Sequence, residues 1–463
     1  MWGDGDCGQL GLGEATTERY RPWPLHVGGK EGGILQVACG GMHTVVLTAD
    51  GKLYSWGVND EGALGRYTSG KIWETHAPAG STPGDSYIPG LVHLPSSSSS
   101  DGGDGDGDGA LRPVQISAGD SHTAVLLANG QVLLCGTFRD SSGVMGFRSD
   151  KRFQLTLVPV EVPVARGDRV CKIASGADHV VCLTSAGRVY TLGNGQQGQL
   201  GRVGERMSEA HKLSTMLRFA EAYVGAGGGM KKTGGGKRRR KVVDVCCGTY
   251  HTFATVDDGH VYACGLNNYG QLGIPGHEAP VYTLTQVEQL TGICPPFGGI
   301  KGAQHHSLAI TKHGTLLTFG RPTYGRLGAT AVDVGSDEPV WKAQRVDGLT
   351  GVTVLGCGGG LAVSGCFGTP MDLDAAPGEK KGPAAAAAAA AAAPAAPKMG
   401  QIWLWGMGSA SLANGEDDDD VHLPQRVKET KKYNALQCVQ LEFGGQHVAC
   451  LAVERPGANR IRD

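Results

Sequence analysis

The residues of this sequence with the most obvious chemical potential are six histidines that recur in the same local setting. Imidazole groups are common ligands of zinc and copper, so a histidine cluster would indicate a metal site. Each of these histidines, however, begins its own apolar segment in a separate repeat: they are His43, His122, His179, His251, His306 and His447. We therefore expect a shared structural role at the start of a strand, and we predict no metal site and no cofactor.

No other motif in the sequence indicates covalent catalysis. The chain has no phosphate-binding loop and no catalytic triad, and its 13 cysteines include no C-x-x-C pair. Scattered cysteines favour reduced thiols inside a cell. No apolar stretch is long enough to cross a bilayer, so no membrane partner is expected. Because the formal net charge is −2, contact with nucleic acid would need a local basic patch. These features favour a binding protein that is not an enzyme.

The elements that position the histidines form an internal repeat. Its first half reads GGMHTVVL or GDSHTAVL and its second half WGVNDEGALG or LGNGQQGQLG, with seven of each. Repeats of about 55 residues with alternating apolar segments indicate four-stranded blades. The chain opens on a second half and closes on a first half, as when both termini share one blade of a closed ring. We predict an all-β fold, a single seven-bladed β-propeller over residues 1–463 with one blade split between the termini.

Three low-complexity insertions lengthen the repeats. They are residues 68–110, with a serine run and DGGDGDGDG, residues 203–241, ending in KKTGGGKRRRK, and residues 367–399, with ten consecutive alanines. Segments of this composition bury too little apolar surface to fold alone. We interpret all three as loops added to the propeller, where extra length costs little closure entropy.

One repeat has a feature that the others lack, and such features are the better guide to function. In five second halves the two marker glycines stand eight positions apart, whereas Gly136 and Gly146 stand ten apart. The two extra residues lie in FRDSSGVMG, residues 138–146, which should project from the ring. On the residues alone, a longer turn without function and a partner-binding element are equally compatible with this insertion.

The positions just before the recurrent histidines also vary, and three of them carry ionisable groups. Asp120, Asp178 and His305 occupy this place in three different blades. Equivalent loops lie at the same end of every blade, so these side chains are predicted on one face of the ring, where the loops of a rigid scaffold bind partners. Asp6 and Asp60, in the other loop class, are weaker candidates because aspartates in turns are often only turn formers.

The strongest local positive charge is a basic run at the end of the second insertion. It comprises Lys231, Lys232, Lys237, Arg238, Arg239, Arg240 and Lys241. Such a run suits phosphate groups or an acidic protein surface, and a nuclear import signal would have the same composition. A solvated glycine-rich loop without a partner is the third interpretation.

Several segments go beyond the repeat pattern, among them GMHTVVLTADGKLYSWGVNDEGALGR, AGDSHTAVLLANGQVLLCGTFRDSSGVMG and GRVYTLGNGQQGQLGRV. In these the sequence resembles the regulator of chromosome condensation family over nearly all of the chain apart from the insertions. The resemblance implies a nuclear, chromatin-associated guanine-nucleotide exchange factor for the small GTPase Ran, with roles in nucleocytoplasmic transport, the mitotic spindle and the cell cycle. The partners it implies are Ran and the core histones and DNA of the nucleosome.

The resemblance also places the family's functional elements on this sequence. The family's exchange wedge matches residues 138–146, and the GTPase-binding residues would be Phe138, Arg139, Asp140, Ser141, Ser142, Gly143 and Val144. The family's exchange-critical aspartates and histidine match Asp120, Asp178 and His305, with Asp6 and Asp60 as further candidates. The basic run coincides with the family's loop that faces the nucleosome, on the side away from the GTPase.

The start of the sequence departs from the family. The family carries a basic, DNA-binding tail and then a strand, where this sequence has only Met1, Trp2 and Gly3. We therefore expect the split blade to be one strand short, unless residues 459–463 substitute. The alternative function is a propeller scaffold without exchange activity. Such a scaffold would keep the shared glycines and histidines but would need neither the wedge nor Asp178.

Overall fold

The computed structural model describes residues 1–28, 33–69, 82–95, 111–148, 150–204, 216–224, 240–370, 400–408, 419–428 and 436–454. These residues form seven four-stranded sheets and one two-stranded sheet, all antiparallel. Short 3-10 turns lie at Glu288–Leu290 and Thr323–Gly325. The seven sheets are the blades of a β-propeller, as the repeats predicted. Blades are numbered 1 to 7 along the chain, and blade 7 is the split one.

Each blade has strands A to D, and strand A lies nearest the central axis. Blade 1 has β3 (Ile34–Cys39), β4 (His43–Thr48), β5 (Leu53–Gly57) and β6 (Gly90–Val92). Blade 2 has β7 (Pro113–Ala118), β8 (His122–Leu127), β9 (Val132–Gly136) and β12 (Gln154–Val160), plus a hairpin of β10 (Phe138–Asp140) and β11 (Gly143–Gly146). Blade 3 has β13 (Val170–Ser175), β14 (His179–Thr184), β15 (Val189–Gly193) and β16 (Ala220–Ala222).

The remaining blades repeat this order. Blade 4 has β17 (Val242–Cys247), β18 (His251–Val256), β19 (Val261–Gly265) and β20 (Val281–Gln286). Blade 5 has β21 (Ile300–Gly302), β22 (His306–Ile310), β23 (Leu316–Gly320) and β24 (Val340–Arg345). Blade 6 has β25 (Val352–Gly359), β26 (Val363–Pro370), β27 (Gln401–Gly406) and β28 (Val421–Arg426). Blade 7 has β29 (Leu436–Phe443), β30 (His447–Glu454), β1 (Trp2–Asp4) and β2 (Glu18–Arg19).

The B strands are apolar on both faces because each blade packs between two others. All six residues of β4, β8, β14 and β18 are buried. The glycine at the end of each C strand is required by the same close packing. At Gly57, φ is +108°, and a Cβ atom would lie 2.4 Å from the carbonyl oxygen of Met42. Only glycine adopts this conformation at this distance without strain.

The recurrent histidines join neighbouring blades, as the repeat predicted of a structural residue. In five of the seven joints the histidine Nε2 lies 2.6–3.1 Å from a hydroxyl at the start of the next B strand: the pairs are His43 with Thr123, His179 with Thr252, His251 with Ser307, His306 with Ser364, and His447 with Thr44. Each hydroxyl donates its own hydrogen to a loop carbonyl, for example Thr252 to Gln199 at 2.8 Å. The hydroxyl therefore accepts from the Nε2–H group of a neutral histidine. We call these contacts the latch ring.

Two joints lack the latch. Between blades 6 and 7 both positions are apolar, Val363 and Val448, so no polar group is left without a partner. Between blades 2 and 3 the position of the hydroxyl is occupied by Val180. The ring of His122 packs on Phe138, with ring centroids 4.9 Å apart. The exceptional joint is therefore the one that carries the extra hairpin.

The expectation that the split blade lacks a strand is wrong. Strand β1 pairs with both β30 and β2, with Trp2 opposite Val448 and Gly3 opposite His447. Three residues suffice because Trp2 is fully buried in the blade and supplies the packing of a longer strand. Residues 459–463 lie outside the described residues.

The insertions are also shorter than the sequence predicted. The D strand of blade 1, Gly90–Val92, lies inside 68–110, and the D strand of blade 3, Ala220–Ala222, lies inside 203–241. Strand β26 continues to Pro370, inside 367–399. An outer strand of three residues is too short to show an alternation of apolar and polar side chains. Such strands could therefore not be distinguished from the low-complexity sequence around them.

Candidate functional site

The loops of the propeller emerge on two faces. The A–B and C–D loops form one face, called here the wedge face, and the B–C turns and D–A loops form the opposite face. On the wedge face a concave cavity of about 750 Å³ occupies the axis and is lined by strand A residues of every blade. Asp60, Glu61, Asp120 and Arg139 stand at its rim.

The extra residues of blade 2 form a separate two-stranded hairpin on the wedge face. Arg139 pairs with Val144 and Asp140 with Gly143, and Gly143 adopts φ +112° at the turn. The accessible residues are at the tip: Arg139, Ser141, Ser142 and Gly143 are exposed, and Asp140 and Val144 are half-buried. Phe138 is fully buried against His122. Phe138 therefore anchors the hairpin and is not on the surface that a partner would touch.

Neighbouring blades hold this hairpin from both sides. Asp178 of blade 3 accepts a hydrogen bond from the backbone N–H of Arg139 at 2.7 Å. Glu61 of blade 1 forms an ion pair with the Arg139 guanidinium, whose Nε also lies 3.1 Å from Glu61 Oε2. The hairpin thus bridges three blades, and the candidate residues Asp178 and Arg139 belong to one cluster.

Burial disfavours the ionised form of two carboxyl groups at the rim, those of Asp178 and Asp120. Burial raises the pKa of Asp178 to about 7, and the charge of Asp120 adds to the rise, while the hydrogen bond and charge of Arg139 oppose it. The pKa of Asp120 is raised by the surrounding protein and lowered in part by Arg139. The positive charge of Arg139 therefore opposes the rise in the pKa of both aspartates.

His305 lies on the same face but with aromatic neighbours. Its ring packs against Tyr269 and Tyr250, with centroids 5.2 Å and 6.1 Å away. Burial, together with the charges of Arg326 and Arg321, lowers the pKa of His305 to about 4. A neutral imidazole on an aromatic platform is suited to packing and hydrogen bonding, and it does not supply a positive charge at neutral pH.

Asp6 and Asp60 occupy matching C–D loops of blades 7 and 1, and both are exposed. Both lie near Cys7, whose thiol pKa is raised by burial and by these two charges. The structure therefore places Asp6 and Asp60 on the wedge face, and Asp60 lines the same axial cavity as Asp120. The sequence had offered them only as weaker candidates.

Sequence reasoning missed three side chains of this site. Glu61 follows the candidate Asp60, and Asn194 and Gln196 of blade 3 also contact the hairpin. The sequence did contain a signal for Asn194. In blades 1 and 4 an asparagine, Asn59 or Asn267, stands two positions after the glycine that ends strand C, whereas in blade 3 the asparagine stands only one position after it.

The described end of the basic run lies on the opposite face. Arg240 and Lys241 are exposed just before β17, and Arg240 lies 3.8 Å from Asp258 of a B–C turn. Arg112 and Arg169 hold the same position before strand A of blades 2 and 3 and are also exposed. Lys231, Lys232, Lys237, Arg238 and Arg239 lie outside the described residues.

Within the described part of the chain, no three histidine, cysteine, aspartate or glutamate side chains are arranged to hold a metal ion. No helix among the same residues has the length and apolar character needed to span a membrane. The described residues form a ring with the extra hairpin of blade 2 at one face and cations at the other, which defines a seven-bladed β-propeller built from glycine- and histidine-containing repeats.

Comparison with known proteins narrows this class to one family. The RCC1-like domain matches residues 1–450, and the chain belongs to this family. It is 33% identical over 458 residues to the human protein named regulator of chromosome condensation, covering 98% of this chain and 90% of the relative. The Drosophila melanogaster protein of the same name is 37% identical over 462 residues, covering 97% of this chain and 67% of the relative.

Two further similarities concern yeast proteins. A Saccharomyces cerevisiae protein named guanine nucleotide exchange factor SRM1 is 29% identical over 424 residues, covering 79% of this chain and 86% of the relative. The crystal structure of Prp20p from the same yeast, described with its binding to Gsp1p and histones, superposes with a TM-score of 0.71 at 24% identity, over 98% of this chain and 91% of that one. The latter similarity establishes the seven-bladed fold.

Proposed function

We propose that this protein is a guanine-nucleotide exchange factor for the small GTPase Ran and that it works without covalent chemistry. The observation that carries the proposal is the hairpin of blade 2, which has no counterpart among the described residues of the other blades and which two neighbouring blades hold in place. A relative carries the name guanine nucleotide exchange factor, and the hairpin is where the family's exchange wedge falls on this sequence.

The energetics of exchange explain why a rigid wedge is needed. Small GTPases bind nucleotide with dissociation constants of roughly nanomolar to picomolar, equivalent to about 12–16 kcal/mol. An exchange factor that binds the nucleotide-free GTPase best weakens nucleotide binding by the same factor by which nucleotide weakens its own binding. The exposed hairpin tip, from Arg139 to Gly143, would distort the phosphate-binding site of the GTPase. Asp120, His305, Asp6 and Asp60 would hold the displaced GTPase at the rim.

The test is release of a fluorescent GDP analogue from Ran in the presence of substoichiometric protein. Turnover, with each molecule of this protein releasing many nucleotides, is the expected result. A scaffold that only binds partners would show Ran binding, or no interaction, without accelerated release. That outcome would favour the alternative function over exchange.

We further propose that the opposite face docks the protein on chromatin in the nucleus. Arg240 and Lys241 lie there with Arg112 and Arg169 at the matching position of two other blades. Among the described residues, no carboxylate forms a salt bridge with Lys241, Arg112 or Arg169. These cations are therefore available to phosphates or to an acidic histone surface. Docking by this face leaves the wedge face open to the GTPase.

Replacing Arg240 and Lys241 by alanine should weaken nucleosome binding and reduce its salt dependence by about two counterions, because fewer ions are released on binding. GDP release from free Ran should stay unchanged. The matched control is alanine at Lys342 and Arg345, which removes the same charge from the exposed outer strand of blade 5 and should leave nucleosome affinity intact. Equal losses of nucleosome binding and exchange in the first variant would contradict separate faces.

A further inference from the structure

The C–D loop of blade 3 differs from the loops of blades 1 and 4 in the position of its asparagine. In blades 1 and 4 an asparagine stands two residues after the strand C glycine and folds back on its own loop. Asn59 accepts from Leu64 N–H at 3.0 Å and donates to the Arg66 carbonyl at 2.9 Å. Asn267 accepts from Leu272 N–H at 2.9 Å and donates to Ile274. In blade 3 this position is Gly195.

The asparagine of blade 3 stands one residue earlier and reaches a different blade. Asn194 Oδ1 accepts from the backbone N–H of Gln196 at 2.8 Å, which holds its own loop. Its Nδ2 donates to the carbonyl of Arg139 at 2.9 Å, in the hairpin of blade 2. Asn194 is 8% exposed, so water competes little for this bond.

The next polar residue of the same loop makes the second contact. Gln196 Oε1 accepts from the backbone N–H of Ser141 at 3.0 Å, and its own carbonyl accepts from the Tyr282 hydroxyl of blade 4 at 3.2 Å. Together with Asp178, which accepts from Arg139 N–H, blade 3 engages three backbone groups of the hairpin: the N–H and carbonyl of Arg139 and the N–H of Ser141. We call Asp178, Asn194 and Gln196 the wedge clamp.

We propose that Asn194 and Gln196 are positioning residues for nucleotide exchange, which they support by fixing the backbone of the hairpin. This inference rests on the proposed exchange function. A hairpin that must distort a tightly bound GTPase loses its effect if it bends instead, so its backbone has to be held by a rigid neighbour. Neither residue is exposed at the hairpin tip, and both act through Arg139 and Ser141. Glu61 differs from the clamp because it binds the Arg139 side chain and not the backbone.

The test uses the full-length protein with four variants and two readouts. The first readout is multiple-turnover GDP release from Ran, resolved into kcat and KM. The second is hydrogen exchange of the Arg139 and Ser141 amides in the protein without Ran. Asn194→Ala and Gln196→Ala should lower kcat roughly tenfold with KM nearly unchanged, and Gln196→Ala should speed exchange of the Ser141 amide.

The third variant tests rescue. Gln196→Glu keeps an oxygen where the Ser141 amide donates, so this amide should stay protected and kcat should return towards the wild-type value. The fourth variant, Gln289→Ala, is the matched control. The Gln289 amide donates to the carbonyls of Gly273 and Trp341 and so joins blade 4 to blade 5, away from the hairpin. This variant should lower stability as the clamp variants do, with kcat unchanged.

The outcomes separate this inference from the function on which it rests. If wild-type protein releases GDP and Asn194→Ala keeps full kcat, the positioning role is wrong while the exchange function stands. Unchanged exchange of the Ser141 amide in Gln196→Ala would also overturn it. If wild-type protein releases no GDP, the proposed function itself fails, and the positioning role fails with it.

Discussion

The latch ring and the wedge clamp are both made of hydrogen bonds between neighbouring blades, but the first joins the blades and the second holds the hairpin. The latch ring repeats one contact between histidine and hydroxyl at five joints and lies fully buried between the blades. The wedge clamp occurs at one joint, at the rim, and its residues come from positions that differ between blades. The neighbours His179 and Asp178 show the contrast within two residues: His179 bonds Thr252 inside the ring, whereas Asp178 bonds the hairpin above it.

The two regions also meet at one joint, and there the latch is absent. Elsewhere the latch hydroxyl donates to a carbonyl of the preceding C–D loop, as Thr123 does to Ala63 at 2.8 Å. In blade 2 that loop is the hairpin itself, and Phe138 occupies the place beside His122. With no regular loop to accept from a hydroxyl, an apolar Val180 is the compatible residue. The hairpin thus replaces the loop that the latch needs, and this joint has no latch.

The largest expected effect is a contrast between alanine variants of the adjacent residues Asp178 and His179. Asp178→Ala should lower exchange on Ran by about 10²-fold, because it frees the Arg139 amide and shifts the hairpin, while changing the free energy of unfolding by only about 1 kcal/mol. His179→Ala should destabilise the fold by about 2–4 kcal/mol through a lost hydrogen bond and a buried cavity. Nucleotide release and denaturant unfolding measure the two effects. Full exchange activity in Asp178→Ala would remove Asp178 from the site.

Acid should destabilise the latch ring. Burial lowers the pKa of His179, His251 and His447 to about 3 and that of His43 to about 4. The unfolded chain therefore binds more protons than the folded one below pH 6.5, and stability falls as pH falls. Each histidine costs about 1 kcal/mol per pH unit in this range. Thermal melting should show a steep loss of Tm between pH 6.5 and pH 4; a flat Tm would contradict neutral latches.

The contribution of Asp178 to stability should change with pH in the opposite direction to that of the latch histidines. Its pKa, raised by burial and Asp120 to about 7, lies above that of an unfolded aspartate, so its ionisation destabilises the fold as pH rises from about 4 to 7. Asp178→Asn should stabilise the protein by about 2 kcal/mol at pH 8 and by nearly nothing at pH 4. Urea unfolding at the two pH values measures this. The amide oxygen still accepts from Arg139 N–H, so exchange should survive; its loss would show that the charge itself contacts the GTPase.

The smallest expected effect concerns the missing latch. Val180→Thr places a hydroxyl opposite His122 that can accept from the histidine but has no regular loop carbonyl to donate to. The two effects should nearly cancel, so the stabilisation should stay below about 0.5 kcal/mol. The control is Thr252→Val, which removes a latch and should destabilise by about 1–2 kcal/mol because His179 loses its partner. Chemical denaturation of both variants gives the comparison. Destabilisation by Val180→Thr would mean that the joint below the hairpin has no room for a polar group.

The sequence predicted the blades, the split ring and the role of the recurrent histidines because these depend on a period repeated seven times. It also singled out residues 138–146 and Asp178 as features that the other blades lack. It could not predict that Asn194 and Gln196 reach the hairpin, since such contacts join loops of different blades whose spacing only the folded ring sets. The sequence did not predict the strands Gly90–Val92 and Ala220–Ala222, because three residues are too few to show a periodic pattern.

The pairing of β1 with β30 also constrains how the protein is made. Trp2 is buried only when Val448 lies opposite it, and the latch between Thr44 and His447 joins residues 403 apart in the chain. During synthesis β1 and β2 emerge before blade 1, and one flank of blade 1 stays uncovered until β30 has left the ribosome. Such late, long-range closure is slow and leaves apolar surface open to aggregation. Chaperones that shield nascent chains should consequently matter more for this propeller than for a domain whose ends pair locally.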